Sequence, residues 1–359
     1  MKFEKGKYKI YSLGDIADMK YGKMPKKGMV QESGKYPVFS GYRIVGYCNE
    51  CNLNEQQLIV VARGVGGTGD VKLSPGACYL TNLSIAVIIN EKIALKKYIF
   101  YYFRQHNLRY LDSGSAQSQI TISDLKNIRV PVPPLNIQKK IVDILSLFDE
   151  KIALNNKIND NLEQQVYTLF ESYFINLDKT NGIIPDDWHK GTLGDIAFIT
   201  SGKRPPVKQS IPTTEAAIPL VGAAAVMGYT NSALYKEPIL ITGRVGTHGV
   251  VQRFQIPCWP SDNTLVIKSN FYEYTYQVLK RIDYKNMNRG STQPLITQTD
   301  LKNKPIMIPS KTVLTEFEKI AEHLMTLYEL NRKENEKLTA LRDTLLPKLM
   351  SGEIELDKI

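Results

Sequence analysis

"GSAQSQITISDLKNIRVPVPP" (114–134) and "GSTQPLITQTDLKNKPIMIPS" (290–310) are two versions of one segment, 176 residues apart. Working outward, "LGDIADMKYGKMP" (13–25) returns as "LGDIAFITSGKRP" (193–205), and "QKKIVDILSLFDEK" (138–151) is echoed by "FEKIAEHLMTLYEL" (317–330). A period of roughly 175–180 residues is far too long for a solenoid, so a whole domain is duplicated. A chain of 359 residues is long enough for about two such domains.

Each copy begins with a mixed segment. "LIVVAR" (58–63), "SIAVIIN" (84–90), "PILITGR" (238–244) and "NTLVIKS" (263–269) are apolar, β-branched runs that read as short strands. "LKKYIFYYFRQHNLRYL" (95–111) and "YEYTYQVLKRI" (272–282) read as aromatic helices. Prolines in "VPVPPLNIQ" (130–138) and "MIPSKTVLTEF" (307–317) then end a strand and precede a long helix. In the first helix Ile141, Leu145, Phe148, Ile152, Asn155, Asn159, Leu162, Val166, Leu169 and Tyr173 follow a 4-3-4-3 spacing. In the second, Ile320, Leu324, Leu327, Asn331, Glu334, Leu338, Leu341 and Leu345 are expected to form the matching seam. Such helices, about 35–40 residues long, would span roughly 55–60 Å. Each needs a partner for its stripe, and antiparallel pairing sets the polar centres of the two seams opposite each other. The expected fold is therefore α+β: two similar mixed α/β domains joined by two long α-helices in an antiparallel coiled coil, with a pseudo-two-fold internal repeat. The boundaries are 1–134, 135–178, 179–309 and 310–359.

Charge follows the same division. The formal total is +10, but residues 1–134 hold 19 basic against 10 acidic residues and 179–309 hold 15 against 9. The helical segments are acidic, with 4 against 7 in 135–178 and 8 against 10 in 310–359. Basic globular blocks favour a polyanionic partner, nucleic acid first, because Lys and Arg displace condensed counterions from phosphates. No run reaches the roughly 18 apolar residues of a membrane span, the start "MKFEKGKYKIYSLGDIADMKYG" is charged, and four cysteines are too few for a disulfide framework. A cytoplasmic location without membrane contact is expected.

Two motifs invite an enzymatic reading. "QLIVVARGVGGTGDV" (57–71) places glycines at 64, 66 and 69, the G-x-G-x-x-G spacing of a pyrophosphate loop. That fingerprint needs a helix to open at the third glycine, whereas "DVKLSPGACYLTN" (70–82) leaves no room for one. The repeat supplies a control. "LITGRVGTHGVV" (240–251) keeps strand, arginine and glycine turn but loses the spacing, so a strand, glycine turn and returning strand is expected, with Arg63 matched to Arg244. Likewise the C-x-x-C of "GYCNEC" (46–51) becomes "GYTNSA" (228–233), which removes half of any zinc site. No Walker lysine, H-E-x-x-H or G-x-S-x-G is present, and His106, His189, His248 and His323 are scattered. A nucleotide-dependent enzyme using the Gly64–Gly69 loop, or a helical protein adaptor that binds no DNA, remain as alternatives.

The chain as a whole resembles the specificity subunit of a type I restriction-modification system. The motifs that carry this are the paired "LGDIA" openings, "DLKNIRVPVPPLNIQ" (124–138), "IPDDWHKGTLGDIA" (184–197) and "LRDTLLPKLMSGEI" (341–354), in that order. "IPSKTVLTEF" (308–317) departs from the pattern, lacking the double proline and the glutamine. The resemblance implies two target-recognition domains, each reading one half of a bipartite DNA site, on two helices that act as spacer. It implies a non-catalytic chain whose partners are double-stranded DNA, two methyltransferase subunits and restriction/translocase subunits. S-adenosylmethionine, ATP and Mg²⁺ would belong to those partners, with no cofactor or metal in this chain.

Candidates for DNA contact are Lys20, Lys23, Lys26, Lys27, Arg43, Arg63, Gln117 and Gln119 in the first copy. In the second they are Lys203, Arg204, Lys208, Arg244, Arg289 and Gln293. Phosphate contacts would position the protein, and groove contacts from Arg, Lys, Asn and Gln would specify bases.

Overall fold

Both "LGDIA" segments fold for one local reason. In the computed structural model, Ser12 and Thr192 open single helical turns whose third residues, Asp15 and Asp195, reach back to the Ser12 and Thr192 amides in capping boxes. The same device recurs at Thr121–Asp124 and Thr297–Asp300, which explains the repeated "T-x-x-D-L-K-N". The structure describes residues 8–41, 43–64, 67–112, 119–247, 249–287 and 295–356. They divide into two units, Met1–Leu154 with Lys333–Ile359, and Asn155–Arg332.

In unit 1 the order is β1 (Lys9–Ser12), α1 (Leu13–Ile16), β2 (Ala17–Tyr21), β3 (Tyr36–Ser40), β4 (Arg43–Cys48), β5 (Leu58–Val61), β6 (Val71–Leu73), β7 (Tyr79–Leu80) and β8 (Ser84–Ile89). Then come α2 (Lys96–Gln105), α3 (Ile122–Lys126), β9 (Arg129–Val132) and the start of α4 (Leu135–Phe170). The strands form a four-stranded sheet β2-β8-β5-β6, a three-stranded sheet β4-β3-β7 and the pair β1-β9. The run at 58–61 is apolar throughout because β5 is covered on both faces. Leu58 and Val60 enter the main core with Tyr98 and Ile99, while Ile59 faces a second cluster with Phe39, Cys78 and Leu80.

Unit 2 repeats this. After the end of α4 come β10 (His189–Thr192), α5 (Leu193–Ile196), β11 (Ala197–Ser201), β12 (Ile218–Val221), β13 (Val226–Thr230), β14 (Ile239–Gly243), β15 (Val251–Phe254), β16 (Trp259–Pro260) and β17 (Thr264–Ser269). They are followed by α6 (Tyr272–Lys280), α7 (Gln298–Lys302), β18 (Pro305–Ile308) and α8 (Lys311–Ser351), which ends in unit 1. The sheets are β11-β17-β14-β15, β13-β12-β16 and β10-β18, strand for strand those of unit 1. Equivalent tyrosines brace equivalent strands: the Tyr98 hydroxyl donates to the Pro131 carbonyl (2.8 Å) and that of Tyr274 to Met307 (3.0 Å).

The helices run antiparallel within each unit. In unit 1, Arg342 meets Asp149 (2.6 Å) and Lys151 meets Glu334 (3.3 Å), so rising numbers on α4 face falling numbers on α8. In unit 2, Asn331 Nδ2 donates to Asn159 Oδ1 (2.9 Å) and the Tyr173 hydroxyl donates to Glu316 (3.0 Å). The polar seam positions 159 and 331 thus do face each other.

On α4 the predicted stripe is the inward one: Ile141, Leu145, Leu162 and Val166 are buried, and Phe148, Ile152 and Leu169 half-buried. On α8 the stripe differs. Leu324, Leu338 and Leu345 are half-buried, but Ile320, Leu327 and Leu341 face outward, Leu341 with 53% exposed. The buried line is instead Leu314, Phe317, Ala321 and Met325 in unit 2, and Leu346, Leu349 and Met350 in unit 1. Two apolar stripes compete on this helix. The one bearing Phe317 wins because its ring joins Phe170, Tyr173 and Phe174 in an aromatic cluster. The helix ends also pack into the cores of the units, so the division into units falls inside α4 and α8 rather than at their starts.

Candidate nucleic-acid interface

One tight turn organises each cluster of loops. In unit 1 the turn Thr81–Ser84, closed by Ser84 N–H to the Thr81 carbonyl (3.2 Å), precedes β8. The loop after β2 docks on it through Gly22 N–H to Ser84 O (3.0 Å) and Lys23 N–H to Leu80 O (2.9 Å). Arriving from β5, the chain docks through Ala62 and Arg63, whose amides both donate to Leu83 O (2.9 and 3.1 Å). Ile120 N–H then donates to Ala62 O (2.9 Å), laying Gln119 beside Arg63. The β3–β4 hairpin joins through Thr81 N–H to Phe39 O (3.1 Å), and its tip glycine, Gly41, lies against Val61 and Ser84.

Unit 2 builds the same frame with other side chains. The turn is Ser261–Thr264 (3.0 Å), with Gly202 N–H to Thr264 O (3.0 Å), Lys203 N–H to Pro260 O (3.0 Å), and Arg244 and Val245 amides to Asn263 O (2.8 and 3.4 Å). Ile296 N–H closes it on Arg244 O (3.0 Å). Gly22 and Gly202 are fixed by this contact: a Cβ on either would lie 2.1 Å from the Thr81 or Ser261 carbonyl oxygen.

Most sequence candidates converge here. Lys23, Arg43 and Arg63 are exposed and Gln119 is half-buried around the first turn, with its backbone N–H donating to the Asp112 carboxylate (2.9 Å). Lys26 and Lys27 are exposed further along the same loop, and exposed Lys20 donates from β2 to the Asn52 carbonyl (3.3 Å). Around the second turn Lys203, Arg204 and Lys208 are exposed and Arg244 is half-buried. Gln117, Arg289 and Gln293 lie outside the described residues.

The matching of Arg63 with Arg244 needs correction. By hydrogen bonding Ala62 corresponds to Arg244 and Arg63 to Val245, since each pair donates to the same turn carbonyl. The strand register agrees, pairing Leu58 with Val87 and Leu240 with Ile267. A one-residue slip along an extended chain reverses the face. Arg63 accordingly points out while Arg244 is half-buried.

The glycine-rich stretch is a hairpin. β6 pairs antiparallel with β5, and no helix opens at Gly69, whose φ of +88° and close approach to the Leu108–Arg109 backbone account for the glycine. Val65 and Gly66 lie outside the described residues. Among the described residues no group of His, Cys, Asp or Glu could hold a metal ion. Cys48 is buried and donates to the Glu50 carbonyl. Burial raises the Cys78 thiol and pushes Cys258 up to about 12, which disfavours the thiolate of those two. No described helix is long and apolar enough to cross a membrane.

Comparison with known proteins agrees with the duplication. Residues 5–164 and 185–341 each match the family described as type I restriction modification DNA specificity domain. The chain belongs to this family. It is 27% identical over 322 residues to the type I restriction enzyme MjaIX specificity subunit of Methanocaldococcus jannaschii, covering 78% of this chain and 74% of that one. A putative type I specificity subunit of Mycoplasma genitalium, S.MgeORF438P, is 25% identical over 373 residues, covering 97% and 94%. In fold the chain is similar to the crystal structure of a type I restriction-modification S subunit from M. genitalium, with a TM-score of 0.65, 22% identity and coverage of 97% and 98%.

Two members of the site were missed by sequence reasoning, namely the turns at its centre. Their signal was present: "CYLTNLS" (78–84) and "CWPSDNT" (258–264) share a cysteine-aromatic start 180 residues apart.

Proposed function

We propose that this chain is the DNA sequence-specificity subunit of a type I restriction-modification complex, in which each unit reads one half of a bipartite, asymmetric DNA site. One observation carries this reading. A single hydrogen-bond frame is built twice in one chain, and each copy presents exposed cations on different intervening side chains. Phosphate contacts would come from Lys23, Lys26, Lys27 and Arg63 in unit 1 and Lys203, Arg204 and Lys208 in unit 2. The two long helices act as spacer and as the docking surface for two methyltransferase subunits, and restriction/translocase subunits join that assembly. The chain contributes recognition rather than chemistry, so S-adenosylmethionine, ATP and Mg²⁺ are used by the partners, in the cytoplasm.

Assembled with its methyltransferase subunits, the chain is expected to retard DNA carrying one bipartite sequence. Binding of a randomised duplex library without sequence preference would overturn the proposal.

A further inference from the structure

The central turns are held by hydrogen bonds from several loops, and each projects two side chains. Thr81 and Ser84 are buried, as are Ser261 and Thr264, and the Thr264 hydroxyl donates to the Ser261 carbonyl (2.7 Å). The third carbonyl of each turn is held by two successive amides of the neighbouring hairpin. What remains free to project is Asn82, half-buried, with exposed Leu83 in unit 1, and exposed Asp262 with Asn263 in unit 2. Groups that discriminate ligands work best on a backbone fixed by its surroundings, and both pairs stand on such a backbone.

Chemistry separates the two pairs. Asp262 is an acceptor-only carboxylate on a turn beside which the Gly202–Lys203 segment docks, with exposed Arg204 next in the chain. Phosphate repels it, so on a turn beside the Lys203 loop it suits a ligand group that donates. On DNA such donors are the exocyclic amino groups of cytosine and adenine in the major groove. Asn82 and Asn263 carry the amide that pairs with the adenine edge, and Leu83 is an exposed apolar group of the kind that meets a thymine methyl.

We infer that Asn82–Leu83 and Asp262–Asn263 read base edges, unit 1 an adenine next to a thymine methyl and unit 2 an amino-bearing base next to an adenine. The inference rests on the specificity-subunit reading and assigns its base-reading positions to these turns. Lys23, Arg63 and Lys203 then position the duplex without selecting it.

The test uses the full chain assembled with its methyltransferase subunits and a randomised DNA duplex library, with the bound fraction sequenced. Asp262→Asn adds an amide donor and so admits a base presenting a carbonyl. It is expected to relax one base position of one half-site, lowering discrimination there about tenfold, and to leave the other half untouched. Leu83→Ala is expected to do the same in the opposite half. Lys203→Ala is expected to weaken all sequences alike. Both side chains are exposed, so neither variant threatens folding. An unchanged selected sequence in both turn variants, or relaxation of both halves together by either one, would overturn the inference. If the unsubstituted complex selected no bipartite sequence, the specificity-subunit reading would fail, and this inference with it.

Discussion

Units 1 and 2 solve one problem, how to satisfy the start of the aromatic helix against the long helix packed on it, with different chemistry. In unit 1 buried Gln138 of α4 accepts from the Leu95 amide (2.6 Å) and donates to the Ile93 and Pro133 carbonyls (3.0 and 2.8 Å). Unit 2 has Leu314 in that register, and Glu318 of α8 accepts from the Tyr274 and Glu273 amides instead (2.7 and 3.1 Å). Beside it, the positions of Leu73 and Lys97 in unit 1 are taken by Arg253 and Glu273, an ion pair with both side chains at most 7% exposed. Tyr272 and Tyr276 flank the guanidinium at 5.3 and 5.0 Å. Buried amides must find acceptors, which fixes the site to be filled but not the residue that fills it. The departure of the second helix from the motif of the first is thus a substitution of acceptors.

The largest effect expected from breaking this comparison is at the ion pair. Glu273→Ala strands Arg253 in the interior of unit 2 and should cost about 3–5 kcal/mol, measured by denaturant unfolding. Replacing both partners by apolar residues, Arg253→Met with Glu273→Leu, should recover most of that loss, since burying two charges offsets much of their attraction. A single variant as stable as the parent would show that the Arg253–Glu273 pair does not hold unit 2 together.

Next in size is the glycine shared by both frames. Gly22→Ala and Gly202→Ala each force a Cβ against a carbonyl that has nowhere to move, at a cost of about 1–3 kcal/mol in their own unit. Equal penalties would sharpen the equivalence of the frames. A penalty in one unit alone would break it.

The acceptors themselves differ in their response to pH. Burial, opposed by the Tyr274 and Glu273 amides, raises the Glu318 carboxyl from 4.5 to about 7. A carboxyl raised in the folded state binds its proton more tightly there than in the unfolded chain. Its contribution is therefore full below about pH 4.5 and is lost as pH rises through about 7. Glu318→Gln removes the titrating group while keeping one of its two acceptor oxygens, so the unfolding midpoint of unit 2 should vary less between pH 5 and 8 than the parent's. An unchanged pH profile in the variant would show that Glu318 does not carry the dependence.

The strand at 58–61 was legible because burial on both faces demands an apolar run; the repeats of "LGDIA" and "DLKN" were legible too, but the Ser/Thr-to-Asp capping boxes that explain them emerge only from the structure. The centre of the site was not. What makes Thr81–Ser84 central is that Gly22, Ala62 and Arg63 donate to it from loops distant in sequence, and no local pattern records that. Arg63 and Arg244 are identical residues on hairpins of unequal length, so identity matches them where strand register does not. Leu58 pairs with Leu73 but Leu240 with Arg253, so the second loop is shorter. On α8, leucines on two neighbouring stripes gave the spacing a false alternative, which only the aromatic cluster around Phe317 decides.

The smallest expected effect lies where the long helices meet within each unit. Unit 1 joins them through charges, Arg342 with Asp149 and Lys151 with Glu334, whereas unit 2 uses amides: Asn159 accepts from Asn331 and donates to the Tyr328 carbonyl (3.2 Å). Asn159 is buried, so Asn331→Leu withdraws its donor and should cost about 1 kcal/mol. Pairing it with Asn159→Leu replaces both polar groups by apolar ones and should restore or exceed the parent stability, because two leucines bury well where two amides only break even. The loss would be in register, since a polar pair tolerates one alignment and leucines tolerate several. Faster amide exchange along 155–170 in the more stable double variant would show the amides acting as a register pin, and a double variant as weak as the sum of its singles would show them acting only as glue.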